Sequence, residues 1–284
     1  MVTVAYHTDP ACPWSWALEP SVRKLMVEFS GGLRWTFVMG GLARSFVPEG
    51  SRTGTVEPPE LARLMTEWLE VSAETGAPLD PLVWPDHPIR STYPACMAVK
   101  AAAEQAGDGG YQYLRRLREG LMCERRRLDH AEPLIGEARA VGLDTERLRL
   151  ALNSNAITEA FGGDLQRTEA LAGRIGAAEH ASTGAGGCPL PTLVFGDGSP
   201  VAGFQPYEAL REAAVAAGAT PANGAPLDIE EAIARFGRLT TREVEVLCSL
   251  PGPRAGGELY RLAEQWKLRP VRCLTGHLWE AAAG

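Results

Sequence analysis

Apolar positions change their spacing along this chain, and the changes divide it. Residues 2–7 form a short apolar run with β-branched side chains, as a buried strand requires. Asp9 to Trp14 then turns the chain. Val22, Leu25, Met26 and Phe29 fall at helical spacing, so a helix is expected as far as Phe29, with Pro20 kinking it and Gly31-Gly32 ending it. Leu33 to Met39 alternates large apolar residues with others and reads as a second strand. Two strands joined by a helix should be parallel, so the chain opens as β-α-β.

Helical spacing dominates from about 57 to 182. Leu61, Leu64, Met65, Trp68 and Leu69 make one face, and further helices are expected at 92–105, 111–127, 132–141, 144–153 and 164–180. The Arg125-Arg126-Arg127 triplet reads as a solvated helix end. Strand character returns at Pro191–Phe195. Gly196-Asp197-Gly198 is a hairpin turn signal, with Pro200–Gly203 as the partner strand, and a helix near 206–217 follows. Residues 218–226 read as a linker. Beyond it come a helix at 228–236, a capping signal in which Glu243 follows Thr240 by three residues, a helix at 256–266, and short strands at Arg269–Leu274 and His277–Glu280.

Composition narrows the function classes. The net charge of −7 argues against non-specific nucleic-acid binding, no segment approaches the length of a membrane span, and the first residues enter a strand directly. A cytoplasmic protein is expected. The cysteines at 12, 96, 123, 188, 248 and 273 are sparse and include no Cys-x-x-Cys pair, and the histidines lie at no metal-ligand spacing, so no metal site is expected. Most of these cysteines read as small buried hydrophobes in a reducing compartment.

Cys12 is different, because it falls between a strand and the start of a helix. Unpaired N–H groups and the helix dipole there favour a thiolate, so a lowered thiol pKa is expected. Pro13 suits a first helical turn, and Ser15 lies where its hydroxyl could donate to the sulfur. Trp14 could stack on a ligand, whereas Trp16 reads as core and His7 as an ordinary strand-end histidine.

Strand, Cys12-Pro13-Trp14-Ser15, a helix carrying Pro20, and strand together resemble the opening of the thioredoxin superfamily. A long helical insertion followed by Cys188-Pro189-Leu190-Pro191-Thr192-Leu193-Val194-Phe195 resembles the DsbA branch. That resemblance makes Pro191 the cis-proline beside the active cysteine and Leu190 the residue before it. Asp9-Pro10-x-Cys12-x-Trp14-x-Trp16-Ala17-x-Glu19-Pro20, Gly40-Gly41-Leu42 and Ser91-Thr92-Tyr93-Pro94-Ala95 are similar to segments of the cytosolic FrnE-like and Spx-adaptor-like members. That resemblance covers about residues 1–217 and implies an α/β fold: a thioredoxin-like domain over 1–45 and 185–217 with a large inserted helical domain over 46–184. Beyond it, the succession of three helices and a small hairpin looks like a winged-helix module over 227–284. In that last module eight Lys/Arg balance eight Asp/Glu, which favours a protein-contact or lid role over DNA binding.

Ser15 stands where dithiol members carry a second, resolving cysteine. Cys12 alone can form a mixed disulfide but cannot release it by Cys-x-x-Cys closure. The expected activity is therefore thiol-disulfide exchange at Cys12, with Ser15 and Pro191 completing the site and Pro13, Trp14 and Leu190 meeting the substrate. Release would fall to Cys188, to Cys96, or to a low-molecular-weight thiol such as glutathione or mycothiol. Two alternatives stand beside it. One is a non-catalytic adaptor of the Spx-adaptor kind, with a protein partner met through the C-terminal module. The other is small-molecule chemistry like that of kappa-class glutathione transferases and hydroxychromene-carboxylate isomerases, which a pocket lined by Trp14, Trp35, Trp68 and Trp84 would favour.

Overall fold

The computed structural model describes residues 1–222 and 226–282, so the middle of the expected linker and the last two residues lie outside the described residues. Strand β1 (Val2–Thr8) lies parallel to β2 (Leu33–Met39), in register from Val2↔Leu33 to Thr8↔Met39. Between them run α1 (Pro13–Ala17) and α2 (Glu19–Glu28). The single helix expected here is divided at Leu18, because Pro20 has no N–H to give to the carbonyl of Trp16. Val22, Leu25 and Phe29 are buried beneath α2.

The helical insertion comprises α3 (Pro58–Thr75), α4 (Val83–Asp86), α5 (Tyr93–Ala103), α6 (Tyr111–Cys123), α7 (Ala131–Ala140), α8 (Thr145–Leu152) and α9 (Asn155–Ala172). Helix α9 starts well before the expected 164 and stops short of 180. Ser154 caps it by accepting from the Ile157 N–H, and the helix runs through Gly162 and Gly163, which no Pro interrupts. Arg125, Arg126 and Arg127 lie just past α6 and pair with Asp80, Glu137 and Asp129 respectively.

The chain then returns to the sheet. β3 (Ser182–Thr183) pairs with β4 (Pro189–Leu190) through only Ser182↔Leu190 and Thr183↔Pro189. The Leu190–Pro191 peptide is cis. β5 (Thr192–Phe195) lies antiparallel to β1, and β6 (Val201–Ala202) to β5, giving the order β2-β1-β5-β6. Helix α10 (Tyr207–Ala216) packs on α2, β5 and β6. This is the thioredoxin arrangement, interrupted after β2 by helices.

The remaining chain forms α11 (Ile229–Phe236), β7 (Leu239–Thr240), α12 (Thr241–Leu247), α13 (Gly252–Glu264), β8 (Leu268–Cys273) and β9 (Gly276–Ala281). The strands make an antiparallel sheet of order β7-β9-β8; two-residue β7 is too short for alternation to announce it. Ile233, Val244, Leu259, Leu268 and Trp279 give this unit a core of its own.

Buried charges join it to the rest, beside Cys273 and Leu278, which belong to the main core. Both carboxylate oxygens of buried Glu243 accept from Arg115, at 2.9 and 3.0 Å, and Arg23 Nη1 adds a contact at 2.9 Å. Burial favours the neutral acid, but Arg115 and Arg23 outweigh it and hold Glu243 below the usual carboxylate range. Nearby, Arg118 bonds Glu19 and Thr8, tying α6 to α2 and β1.

Candidate functional site

Cys12 caps α1: its Sγ accepts the Ser15 backbone N–H at 3.3 Å. The Ser15 hydroxyl, expected to donate to the sulfur, is buried with no hydrogen-bond partner. The thiol instead donates toward Ser182 Oγ at 3.4 Å and lies 3.5 Å from the carbonyl oxygen of Leu190, the residue before cis-Pro191. Cys12, Ser15, Leu190 and Pro191 therefore meet, although 175 or more positions of chain separate the two halves of the site.

The expected lowering of the Cys12 pKa is not what this environment produces. Cys12 has 0% exposure, and burial pushes its thiol up; contacts from Ser15 and Ser182 lower it only in part, and the nearby Asp9 carboxylate raises it further. The five-residue α1 is also a short source of dipole. Desolvation of the anion wins over the helix terminus.

Asp9 positions the turn. Oδ1 accepts from the Ala11 N–H at 2.8 Å, while Oδ2 accepts from the Leu42 N–H and Thr92 Oγ1, each at 2.8 Å, and from Cys96 Sγ at 3.2 Å. Cys96 is thus held on Asp9. Cys188 Sγ turns to the Pro189 carbonyl at 3.7 Å, and burial raises its thiol pKa to about 11. Among the described residues all six cysteines are free and none of these bonds joins Cys12 to a second sulfur. His7 does not face Cys12; its Nδ1 lies 2.9 Å from Thr168 Oγ1.

Gly40 and Gly184 seat Leu190. A Cβ on Gly40 would stand 2.7 Å from Leu190 Cδ2, and one on Gly184 would stand 2.8 Å from Leu190 Cδ1. Both glycines let backbone close around the side chain that presents the carbonyl to Cys12.

A cavity of about 550 Å³ lies on the far side of Ser182 from the thiol, lined among others by Pro13, Trp14, Arg63, Glu67, Trp68, Trp84 and Ser182 itself, but not by Cys12. Trp14 packs between His180 and Phe204, with ring centroids 5.1 and 5.9 Å away. Trp68 and Trp84 meet edge to face. Trp35 is not part of this wall; it stacks on Phe37. Ser182 and Glu67 carried no signal in the sequence, one lying in a short polar connection and the other on what reads as the solvated side of α3. Among the described residues no cluster of His, Cys, Asp and Glu fits a metal ion.

A family model described as Thioredoxin matches residues 6–172, more than half of the chain. The chain belongs to that family. SpxH of Halalkalibacterium halodurans, a ClpXP adapter protein, is 28% identical to this thioredoxin-family chain over 279 residues, covering 95% of it and 86% of the relative. SpxH of Bacillus subtilis is 25% identical, covering 96% and 87%. The cytosolic disulfide reductase DsbM of Pseudomonas aeruginosa superposes with a TM-score of 0.56 at 19% identity, covering 75% of this chain and 98% of the other. That likeness establishes a DsbA-like thioredoxin fold. No helix among the described residues is long and apolar enough to cross a membrane.

Proposed function

We propose that this thioredoxin-family chain is a cytoplasmic protein-binding adaptor, of the kind for which its full-length relatives are named. The observation that carries this reading is the match along 95% of the chain, which takes in the C-terminal unit as well as the thioredoxin fold. The site supports it too: Cys12 is sealed from solvent and meets no second thiol. The C-terminal unit, winged-helix-like in its order of helices and strands, would then offer part of the partner surface. Its exposed Tyr260, Trp266 and Leu274 and its balanced charge suit protein contact better than phosphate.

The test is genetic replacement in the source organism. Proteins whose half-lives lengthen when the gene is deleted should regain normal turnover with a Cys12→Ala chain. Failure of Cys12→Ala to restore turnover, at normal protein level, would overturn an adaptor role that is independent of the thiol.

Thiol-disulfide exchange stands as a second reading because one observation favours it: Cys12 Sγ lies 3.5 Å from the Leu190 carbonyl at a cis-proline, beside a cavity walled by Trp14, Trp68 and Trp84. With no resolving partner in contact, a low-molecular-weight thiol such as glutathione or mycothiol would release the mixed disulfide. The same cavity would suit the small-molecule chemistry of transferase-like and isomerase-like members.

A further inference from the structure

Cys12 is buried where a thiolate is disfavoured, so any reaction of its sulfur needs somewhere for the proton to go. One route leads from it through side chains. The Cys12 thiol donates to Ser182 Oγ at 3.4 Å, and Ser182 Oγ donates to Glu67 Oε1 at 3.4 Å. The other oxygen of Glu67 lies 3.2 Å from Arg63 Nη1. We propose that Glu67, acting through Ser182, receives the Cys12 proton, and that the cavity beside them admits a small-molecule disulfide as the reaction partner. This rests on the thiol-exchange reading and goes beyond it by assigning a proton acceptor and a substrate class.

The step balances. Cys12 passes its proton to Ser182 Oγ as Ser182 passes its own to Glu67, leaving a thiolate and a neutral carboxyl with total charge unchanged. The thiolate attacks one sulfur of the disulfide; a new S–S bond forms to Cys12, the old one breaks, and the departing thiolate takes the proton from Glu67. The disulfide is the oxidant, and one of its halves leaves reduced. Both bonds in the chain are long as they stand, and such contacts commonly tighten only when a reactant is bound.

The surroundings fit the role. Burial raises the Glu67 pKa, which makes it a better proton acceptor, while Arg63 opposes that and Glu60 adds to it. Glu70 and His180 complete the charged and titratable wall on the cavity side; His180 itself pairs with Glu74 at 3.1 Å. On the thiol side Asp9 disfavours the anion and Arg118 favours it, with Tyr6 nearby. Two polar atoms without protein partners mark the same region: Ser15 Oγ beneath Cys12, and the indole N–H of buried Trp84, whose side chain lines the cavity. Ser182 both meets the sulfur and lines the cavity, so the reaction requires Ser182 to move aside and open Cys12 to what the cavity holds.

Glu67 lines the cavity and returns its proton to the departing thiolate, so it is a catalytic acid–base group, and its signature is in the pH profile. Glutathione disulfide is added to the full chain, and adduct formation is followed by intact mass between about pH 5.5 and 9, with Cys12→Ala assigning the site. Glu67→Gln and Ser182→Ala should each slow Cys12 modification about tenfold at neutral pH and displace the profile upward by about one unit. Glu67→Asp should recover part of the rate, and thermal unfolding of each variant identifies a loss that is merely structural. Profiles that superimpose on wild type would overturn the relay and leave exchange standing. An absence of any Cys12 adduct in the wild-type chain would overturn both.

Discussion

His7 illustrates how one buried side chain makes the fold sensitive to pH. It sits against Thr168 under α9, and burial first, then the Arg167 charge, lower its pKa from 6.5 to about 4. The unfolded chain therefore binds the proton more readily than the native one. The stability linked to His7 is complete above about pH 6.5 and is lost as pH falls toward 4, with an order of 1–3 kcal/mol at stake. Urea unfolding at about pH 7.5 and 5 should show that loss in wild type and a smaller one in His7→Gln. An equal loss in both would mean that other groups carry the effect. The same desolvation argument explains why the thiol at a helix start is not acidic here: position along the chain is visible in a sequence, but the depth of burial that reverses its consequence is not.

The link between β2 and β4 is a matter of clearance. Gly40 follows β2, Gly184 follows β3, and Leu190 ends β4 with its methyl groups against both. Gly40→Ala forces a methyl into the space of a fully buried side chain and should cost about 1–3 kcal/mol. Leu190→Ala costs stability on its own, yet it removes the clash, so the double variant should lose less than the sum of the two. Strict additivity in thermal unfolding would show that Gly40 and Leu190 do not share that space. Gly40-Gly41-Leu42 was recognisable as a motif, and α10 falls within the expected 206–217. The bounds of α9 were not legible, because its two central glycines imitate an interruption that the packing of Phe161 and Leu171 overrides.

Glu243 joins two levels of organisation. It closes the capping box of α12, accepting from the Thr240 N–H at 2.6 Å, and it is also the buried anion that holds Arg115 and Arg23. Glu243→Gln preserves the box, since an amide oxygen also accepts, but removes a buried anion from Arg115, which keeps Glu119, and from Arg23, which keeps Tyr111 and the Arg238 carbonyl. Its cost should be about 3–5 kcal/mol, with lost hydrogen-exchange protection across the α2–α12 contact. Thr240→Ala should cost about 1 kcal/mol and leave that contact protected. Because the folded Glu243 pKa is depressed, its contribution is complete above the ordinary carboxylate value and disappears as pH falls below it. A Glu243→Gln chain with unchanged protection would show that apolar packing alone docks the C-terminal unit.

Periodicity, punctuation by Gly and Pro, and the Cys12 and Pro191 segments were sufficient for the β-α-β opening, the helical insertion, the closing hairpin and, after residue 227, the helices and the last two strands but not β7, since each of the former depends on neighbours in the chain. The capping role of Glu243 was legible for the same reason; its partners Arg115 and Arg23 were not, lying more than 125 positions away. Whether Cys12 is exposed, which hydroxyl its sulfur meets, and that Glu67 stands behind Ser182 all depend on contacts between segments distant in sequence. Burial and electrostatics act through space, so the pattern of a chain names the groups, and folding alone sets which of them are dry, paired or within reach of a proton.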